Sequence, residues 1–189
     1  MARKSRIIIV GSGIVGASTA YHLAQLGWKD MVILDQGPLF ETGGSTSHAP
    51  GGVFQTNPSR MMCKFAQYTV DLLRSLSFEG KPCFHTVGGI EVSKTKERHQ
   101  DLYRKLGIAH SYGLTDAKII TPDEVSKMSP YIDPEKIHGG YYVPTDGLAA
   151  PVRAVRAMAK YVTDLKAGEF FGDTAVNGFK IQNNQIRGV

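Results

Sequence analysis

The sequence predicts an α/β fold with a parallel sheet that is interrupted by a partial antiparallel domain. A β-branched run, Arg6–Val10, leads through a glycine-rich turn into a helix and then into a second buried strand, Met31–Leu34. This order is a βαβ unit, which predicts a parallel sheet. Between Cys83 and Val143 this βαβ pattern gives way to short strand-like runs around a charged helix. The βαβ pattern returns with a helix that starts at Pro151. We therefore expect two domains.

The domain boundaries follow from these changes of pattern. Residues 1–80 and 146–189 are assigned to an incomplete parallel-sheet domain, and residues 81–145 to a partial second domain. The first helix is predicted to end at Gly27, a typical C-terminal cap. Its three- and four-residue spacing predicts a buried face made of Val15, Thr19, Leu23 and Leu26.

The later elements follow from similar signals. Asn57 and Pro58 predict the cap and first position of a helix, and Thr121 to Glu124 predict a capping box. The strand-like segment Glu169–Val189 turns at Asn183-Asn184, which is typical of a hairpin. Apolar residues at helical spacing predict two buried helix faces, formed by Met62, Phe65, Thr69, Leu72 and Leu76 and by Val152, Val155, Met158, Val162 and Leu165.

Composition and charge exclude several classes of protein. The 189 residues are 42% hydrophobic and 21% charged, as in ordinary globular proteins. No apolar run reaches the roughly 20 residues of a membrane-spanning helix, so no membrane partner is expected. The net charge is +5, but its lysines and arginines are scattered, which does not favour nucleic-acid binding. Cys63 and Cys83 lack metal-type spacing and are expected to be free thiols.

The turn Gly11-x-Gly13-x-x-Gly16 carries the clearest chemical signal. It follows a strand and opens a helix, and Asp35 ends the next strand about 20 residues later, which is the dinucleotide-binding fingerprint. Gly11 permits the tight turn, Gly13 lets the backbone approach a pyrophosphate, and Gly16 brings helix and strand together. Asp35 can accept hydrogen bonds from ribose hydroxyls. The fingerprint therefore predicts a Rossmann-like domain, although it does not separate FAD from NAD.

A segment rich in glycine, serine and threonine follows the second strand. Residues 43–52, GGSTSHAPGG, supply hydroxyl groups and place one imidazole, His48, among small residues. Composition alone favours an exposed histidine without a ligand role. A long irregular segment inside a compact domain is more often functional, so both interpretations stay open at this point.

Four stretches together resemble the dimethylglycine oxidase, dimethylglycine dehydrogenase and sarcosine dehydrogenase group of D-amino-acid-oxidase-like flavoproteins. They are GSGIVGASTAYHLAQLGWKDMVILDQG, GGSTSHAPGGVFQTNPS, VGGIEV and VPTDGLAAPVRA. The resemblance covers essentially the whole chain. It implies FAD as cofactor, with Ser45, Thr46 and Ser47 holding the flavin and His48 bonded covalently to its 8α carbon.

The same resemblance implies the other cofactor contacts. Ile14 and Val15 would lie against the pyrophosphate, Asp35 and Gln36 at the ribose, and Gly52 after the flavin segment. The stretch Thr174-Ala175-Val176 resembles the adenine-side strand of the family, with Val176 as a backbone contact. Gly52 departs from the family pattern, in which a larger apolar residue is common.

The implied activity is oxidation of an N-methylated glycine, such as dimethylglycine or sarcosine. Family members continue for hundreds of residues, and most amine-binding residues lie beyond position 189, so no catalytic residue is assigned. We expect the 189-residue chain alone to be inactive, and a folate-binding domain or another part of a larger enzyme is an expected partner. The expected location is the cytoplasm, or the mitochondrial matrix in a eukaryote. The alternatives are an NAD-dependent dehydrogenase and a non-catalytic nucleotide-binding chain.

Overall fold

The computed structural model describes residues 5–40 and 44–189. They form two compact units. The first comprises Met1–Pro50, Leu76–Cys83 and Ala150–Val189, and the second comprises Gly51–Ser75 and Phe84–Ala149. The sequence-based boundaries stay a prediction, and they differ from these units mainly because they group Gly51–Ser75 with the parallel sheet.

Helices and short strands make up both units. The helices are α1 (Ile14–Gln25), α2 (Ser45–His48), α3 (Arg60–Ser75), α4 (Lys96–Ser111), α5 (Pro122–Met128) and α6 (Pro151–Asp164), with a 3-10 turn at Pro134–Lys136. The strands are β1 (Ile7–Val10), β2 (Met31–Leu34), β3 (Gly52–Val53), β4 (Ser77–Phe78), β5 (Lys81–Pro82), β6 (Phe84–His85), β7 (Gly89–Ser93), β8 (Lys118–Ile120), β9 (Gly139–Val143), β10 (Gly147–Ala149), β11 (Gly168–Phe171), β12 (Lys180–Gln182) and β13 (Gln185–Gly188).

The first unit is built on a parallel sheet in the order β1-β2-β11. Ile7 pairs with Met31 and Val10 with Leu34, and β11 joins the other side of β2 in parallel. The central strand β2 is the most buried of the three, and Ile33 is fully buried. This sheet confirms the predicted α/β fold class.

Helix α1 packs against α6 within the first unit. The predicted buried face of α1 is wrong, because Val15 is 78% exposed and Thr19 and Leu26 are also exposed. The face that is buried consists of small residues and one tyrosine: Gly16, Ala17, Ala20, Tyr21 and Ala24. Small side chains let a helix approach its neighbours closely, and the spacing of the larger apolar residues did not reveal this.

Helix α6 follows its prediction more closely. Val155, Met158 and Val162 are buried as expected, whereas Leu165 lies just beyond the helix and is exposed. Three alanines, Ala154, Ala157 and Ala159, are buried beside them. The hairpin of β12 and β13 also agrees with its prediction, since the turn residues Asn183 and Asn184 adopt positive φ.

The second unit contains two antiparallel sheets, in the orders β3-β10-β6 and β7-β9-β8. One hydrophobic cluster joins residues of α3, α4 and β9, among them Cys63, Leu102 and Tyr141. A smaller cluster lies around Ile120 and Val125. Cys63 and Cys83 are both buried free thiols, as predicted.

Helix α3 is amphipathic, but its buried face is not the predicted one. Met62 and Phe65 are 51% and 57% exposed, whereas Cys63, Val70 and Leu73 are buried. Neighbouring helix positions differ by about 100° in direction, since there are 3.6 residues per turn. The predicted stripe was therefore displaced by about one position around the helix.

Of the two predicted helix starts, the start of α3 is wrong and the start of α5 is confirmed. Helix α3 begins at Arg60 and not at Pro58, because Asn57 Oδ1 accepts a hydrogen bond from the Ser59 amide (3.0 Å) in a turn before the helix. The capping box of α5 is confirmed: the Glu124 amide donates to Thr121 Oγ1 (3.3 Å), and the Thr121 amide donates to the Glu124 carboxylate (2.8 Å).

Candidate functional site

The glycine turn after β1 depends on two glycines for its shape. Gly11 adopts a φ of +100°, a conformation that side chains disfavour, and its amide donates to the Leu34 carbonyl (2.7 Å). Gly16 lies so close to the turn that a Cβ there would be 1.9 Å from the Gly11 carbonyl oxygen. The start of α1 is thereby held against the end of β1, as the fingerprint predicts.

Asp35 connects this turn to the end of β2. Its Oδ2 accepts hydrogen bonds from the Ser12 amide (2.7 Å) and the Ser12 hydroxyl (2.8 Å), and its Oδ1 accepts one from the Gly37 amide (3.2 Å). Burial raises the pKa of Asp35, but these hydrogen bonds outweigh it and hold the pKa below its ordinary value of 3.8. The side chain is therefore an ionised acceptor, and Oδ1 retains capacity for another donor.

The segment Ser45–His48, expected as a loop, forms the single helical turn α2. Thr46 contacts the glycine turn, because its Oγ1 accepts a hydrogen bond from the Ile14 amide (3.0 Å). A Cβ on Gly13 would lie 3.1 Å from the same oxygen. Gly13 therefore keeps the space between the turn and Thr46 open.

A cavity of about 740 Å³ lies beside the turn, within the first unit. Seven residues that the sequence assigns to the cofactor line it, namely Gly11, Gly13, Asp35, Gln36, Ser45, Thr46 and Val176. Two further lining residues, Gly44 and Thr174, belong to the predicted flavin segment and the predicted adenine-side stretch, whereas Val10, Leu34, Gly37 and Pro38 were not predicted. Val10 and Leu34 end β1 and β2, so the rule that ligands bind at the carboxyl ends of parallel strands could have found them.

The stretch Thr174-Ala175-Val176 is not a strand, which corrects the expectation from the sequence. The Thr174 amide instead donates to the Asp35 carbonyl (2.7 Å), and the Asp173 amide donates to the Gly37 carbonyl (2.9 Å). These bonds lead the chain away from β11 and along the cavity wall. Val176 therefore reaches the cavity without strand pairing.

The other predicted site residues do not line this cavity. Ile14, Val15 and Gly16 belong to the first turn of α1, Ser47 and His48 end α2, and Gly52 is part of β3 in the second unit. His48 is exposed, and its Nδ1 lies 3.1 Å from the Gly44 carbonyl oxygen. A carbonyl can only accept, so this contact favours a proton on Nδ1 and leaves the Nε2 lone pair available.

The residues present fit a dinucleotide. The cavity combines a glycine turn that opens a helix with an ionised acceptor at Asp35 and hydroxyl groups at Ser45 and Thr46. The first amide groups of a helix have no partner within the helix and favour anions, so they suit a pyrophosphate. In the part of the chain that the structure describes, no group of histidine, cysteine, aspartate or glutamate side chains could hold a metal ion. The helices of these residues include none that is both long and apolar enough to cross a membrane.

Comparison with known proteins places the chain among flavoproteins. It is 33% identical over 179 residues to the mitochondrial dimethylglycine dehydrogenase of Homo sapiens, which covers 87% of this chain and 20% of that protein. It is 29% identical to the mitochondrial pyruvate dehydrogenase phosphatase regulatory subunit of Mus musculus, and this match covers 98% of this chain and 21% of that protein. It is 24% identical to the mitochondrial sarcosine dehydrogenase of Mus musculus, and this match covers 96% of this chain and 20% of that protein.

The fold has a close structural counterpart in L-proline dehydrogenase from P. horikoshii, with a TM-score of 0.86 and 26% identity. The match covers 99% of this chain and 49% of that one. The chain therefore spans about a fifth of the curated relatives and about half of this solved structure. Residues 6–189 match the family described as FAD dependent oxidoreductase. This match decides between FAD and NAD in favour of FAD, and the chain belongs to the FAD dependent oxidoreductase family.

Proposed function

We propose that this protein provides the FAD-binding part of an oxidoreductase that oxidises an N-methylated glycine, such as dimethylglycine or sarcosine. The observation that carries the proposal is the 740 Å³ cavity, because its lining combines the glycine turn with Ser45 and Thr46 of the predicted flavin segment. Similarity to dimethylglycine dehydrogenase and sarcosine dehydrogenase supports the substrate class.

Each part of the cavity has a separate role in this proposal. Gly11 and Gly13 bring backbone close to the pyrophosphate, and the first turn of α1 supplies amide groups and a positive dipole end. Asp35 accepts hydrogen bonds from the ribose, and Val176 lies at the adenine side. When bound, the flavin supplies a two-electron acceptor for hydride from the carbon–nitrogen unit of the amine.

His48 is proposed as the covalent attachment point of the flavin. It is exposed at the end of α2, and the contact of its Nδ1 with the Gly44 carbonyl leaves Nε2 as the free nucleophile. In the acid-denatured full-length enzyme the flavin should stay with the wild-type protein and separate from His48→Ala. Flavin that leaves the denatured wild type would remove the covalent role and leave non-covalent binding in the cavity untouched.

A second candidate is a non-catalytic FAD-binding chain. It is favoured by the similarity to a phosphatase regulatory subunit, which extends over 98% of the chain. Both candidates require FAD, and only the first requires an amine to act on it.

The visible spectrum of the FAD-loaded protein, in a form as long as the curated relatives, separates these two candidates, because the 189 residues alone are expected to be inactive. Dimethylglycine or sarcosine should perturb the flavin absorbance, because a substrate amine must lie next to the flavin for hydride transfer. Glycine, which lacks N-methyl groups, is the matched control and should have a weaker effect. A spectrum that none of the three compounds changes would favour the non-catalytic candidate.

A further inference from the structure

A second cavity, of about 370 Å³, lies entirely within the second unit. Its lining combines aromatic rings, Phe54 and Tyr141, with one deeply buried acid, Asp146. The Tyr141 hydroxyl and Thr56 Oγ1 are 2.7 Å apart and hydrogen-bonded, which fixes the tyrosine ring in the wall. Nothing in the proposed binding of FAD uses this cavity.

Asp146 is 3% exposed, and its two carboxylate oxygens differ. Oδ1 accepts hydrogen bonds from the Gln55 amide (2.9 Å) and from Gln55 Nε2 (3.1 Å), whereas Oδ2 has no hydrogen-bond donor among residues 5–40 and 44–189. Every fully buried side-chain oxygen and nitrogen of those residues has a hydrogen-bond partner. Since Oδ2 has no partner among these residues, it is not fully buried. The small exposed area of Asp146 therefore includes Oδ2, which opens on the cavity.

Gly89 lies against the Asp146 side chain. A Cβ on Gly89 would lie 2.8 Å from Asp146 Oδ2, which is closer than real Cβ contacts. Gly89 lies in β7 and has no positive φ, so its backbone conformation does not by itself require glycine. The absence of a side chain at this position lets the Asp146 side chain pack directly against β7.

The charges in the cavity favour a cation. Glu91 is paired with Lys105 and Arg98, whereas Asp146 forms no ion pair with the described residues. Lys105 Nζ lies 5.1 Å from the centre of the Tyr141 ring, so one cation already contacts an aromatic face here. Burial raises the pKa of Asp146, although hydrogen bonds from Gln55 and the charge of Lys105 act in the opposite direction. A cation next to Oδ2 would stabilise the ionised form.

We propose that this cavity binds a methylated ammonium cation, with Asp146 as counter-ion and the aromatic wall around the methyl groups. A methylated ammonium has few N–H donors and a diffuse charge, so a single carboxylate oxygen combined with aromatic and aliphatic surface is a suitable site. Ile90 and Val143 complete the apolar part of the wall.

Tetramethylammonium chloride is the probe for this proposal, with binding measured by calorimetry on the full 189-residue chain. We expect Asp146→Asn to weaken binding at least tenfold, because the amide keeps the shape but removes the charge. Asp116→Asn, which removes the same charge from an exposed position of the same unit outside the cavity, should leave the affinity within twofold. Equal weakening by both variants, or no binding to the wild type, would overturn the proposal.

Phe54→Ala provides a second test that keeps the carboxylate. It removes an exposed aromatic ring from the cavity lining and should also weaken tetramethylammonium binding several-fold. This variant decides the matter if circular dichroism shows that Asp146→Asn does not fold, and unchanged affinity in Phe54→Ala would contradict the proposal.

FAD binding, measured on the same samples, separates this proposal from the proposed function. Asp146→Asn should keep the FAD affinity of the wild type. A wild type that binds FAD but not tetramethylammonium would refute the ammonium site alone. A wild type that binds tetramethylammonium through Asp146 but no FAD would refute the proposed function and leave the cation site in place.

Discussion

Substituting Gly16 by alanine should break the nucleotide turn, although alanine is the better helix former. A Cβ at this position would lie 1.9 Å from the Gly11 carbonyl oxygen and 3.3 Å from Ile9 Cγ2. Contacts of Cβ atoms below 3.0 Å essentially do not occur, so the start of α1 and the turn must separate by more than 1 Å. Both neighbours are constrained, because Gly11 is hydrogen-bonded to Leu34 and Ile9 belongs to the central part of β1.

The expected cost follows from this displacement. Overpacking a close-packed interior costs roughly 1–3 kcal/mol, and a clash with backbone belongs at the upper end. A loss of about 3 kcal/mol corresponds to a decrease in Tm of roughly 6–12 °C for a chain of this size. The FAD affinity should fall as well, because the amide groups proposed to hold the pyrophosphate lie in the displaced turn.

Thermal unfolding and FAD titration of Gly16→Ala measure both effects. Gly178→Ala is the matched control, since Gly178 belongs to the same unit and a Cβ there would meet no atom within 4 Å. The control should match the wild type in Tm and FAD affinity. A Gly16→Ala protein that matches it too would refute the packing of helix against turn that underlies the site.

Two further predictions concern Asp35 and Gly107. Burial raises the pKa of Asp35, but hydrogen bonds from Ser12 and Gly37 hold it below 3.8, so its stabilising contribution is present above that pH and lost as the pH falls through the folded-state pKa. Asp35→Asn should therefore flatten the acid side of a plot of Tm against pH, and an unchanged acid limb would contradict this. Gly107 lies inside α4, where a Cβ would meet no atom within 4 Å, so Gly107→Ala should raise the free energy of unfolding by roughly 0.5–1 kcal/mol in urea titrations. A destabilised variant would show that this glycine has another role.

The sequence was sufficient to predict the βαβ unit and the glycine turn inside it. Gly11, Gly16 and Asp35 have fixed spacings that follow from the geometry of a strand, a turn and a helix. The structure gives Gly11 the predicted turn and Gly16 the predicted close packing, whereas the contact of Asp35 with the ribose stays a prediction. The helix cap at Thr121 and the hairpin at Asn183-Asn184 were also predictable, because side chains a few residues apart determine both. Local signals were reliable where the interactions are local.

The predictions that failed depend on packing between distant segments. Periodicity chose the large apolar residues of α1 and α3, whereas the buried faces contain Ala17 and Ala20 in one helix and Cys63 in the other. Small residues carry little hydrophobic signal, although they permit close approach. The path of residues 174–176 depends on a hydrogen bond from Thr174 to the Asp35 carbonyl, a partner far away along the chain, which no local pattern contains.

FAD titration of wild-type chain and Gly13→Val tests the central claim most directly, with flavin fluorescence as the signal. The wild type should bind FAD at an equimolar ratio. Gly13→Val should lose binding while it keeps its circular dichroism spectrum, because the new side chain would fill the gap between the turn and Thr46 Oγ1, which is 3.1 Å from the Cβ position. Gly178→Val should bind as the wild type does. FAD binding that survives in Gly13→Val, or is absent from the wild type, would contradict the assignment of this cavity to the cofactor.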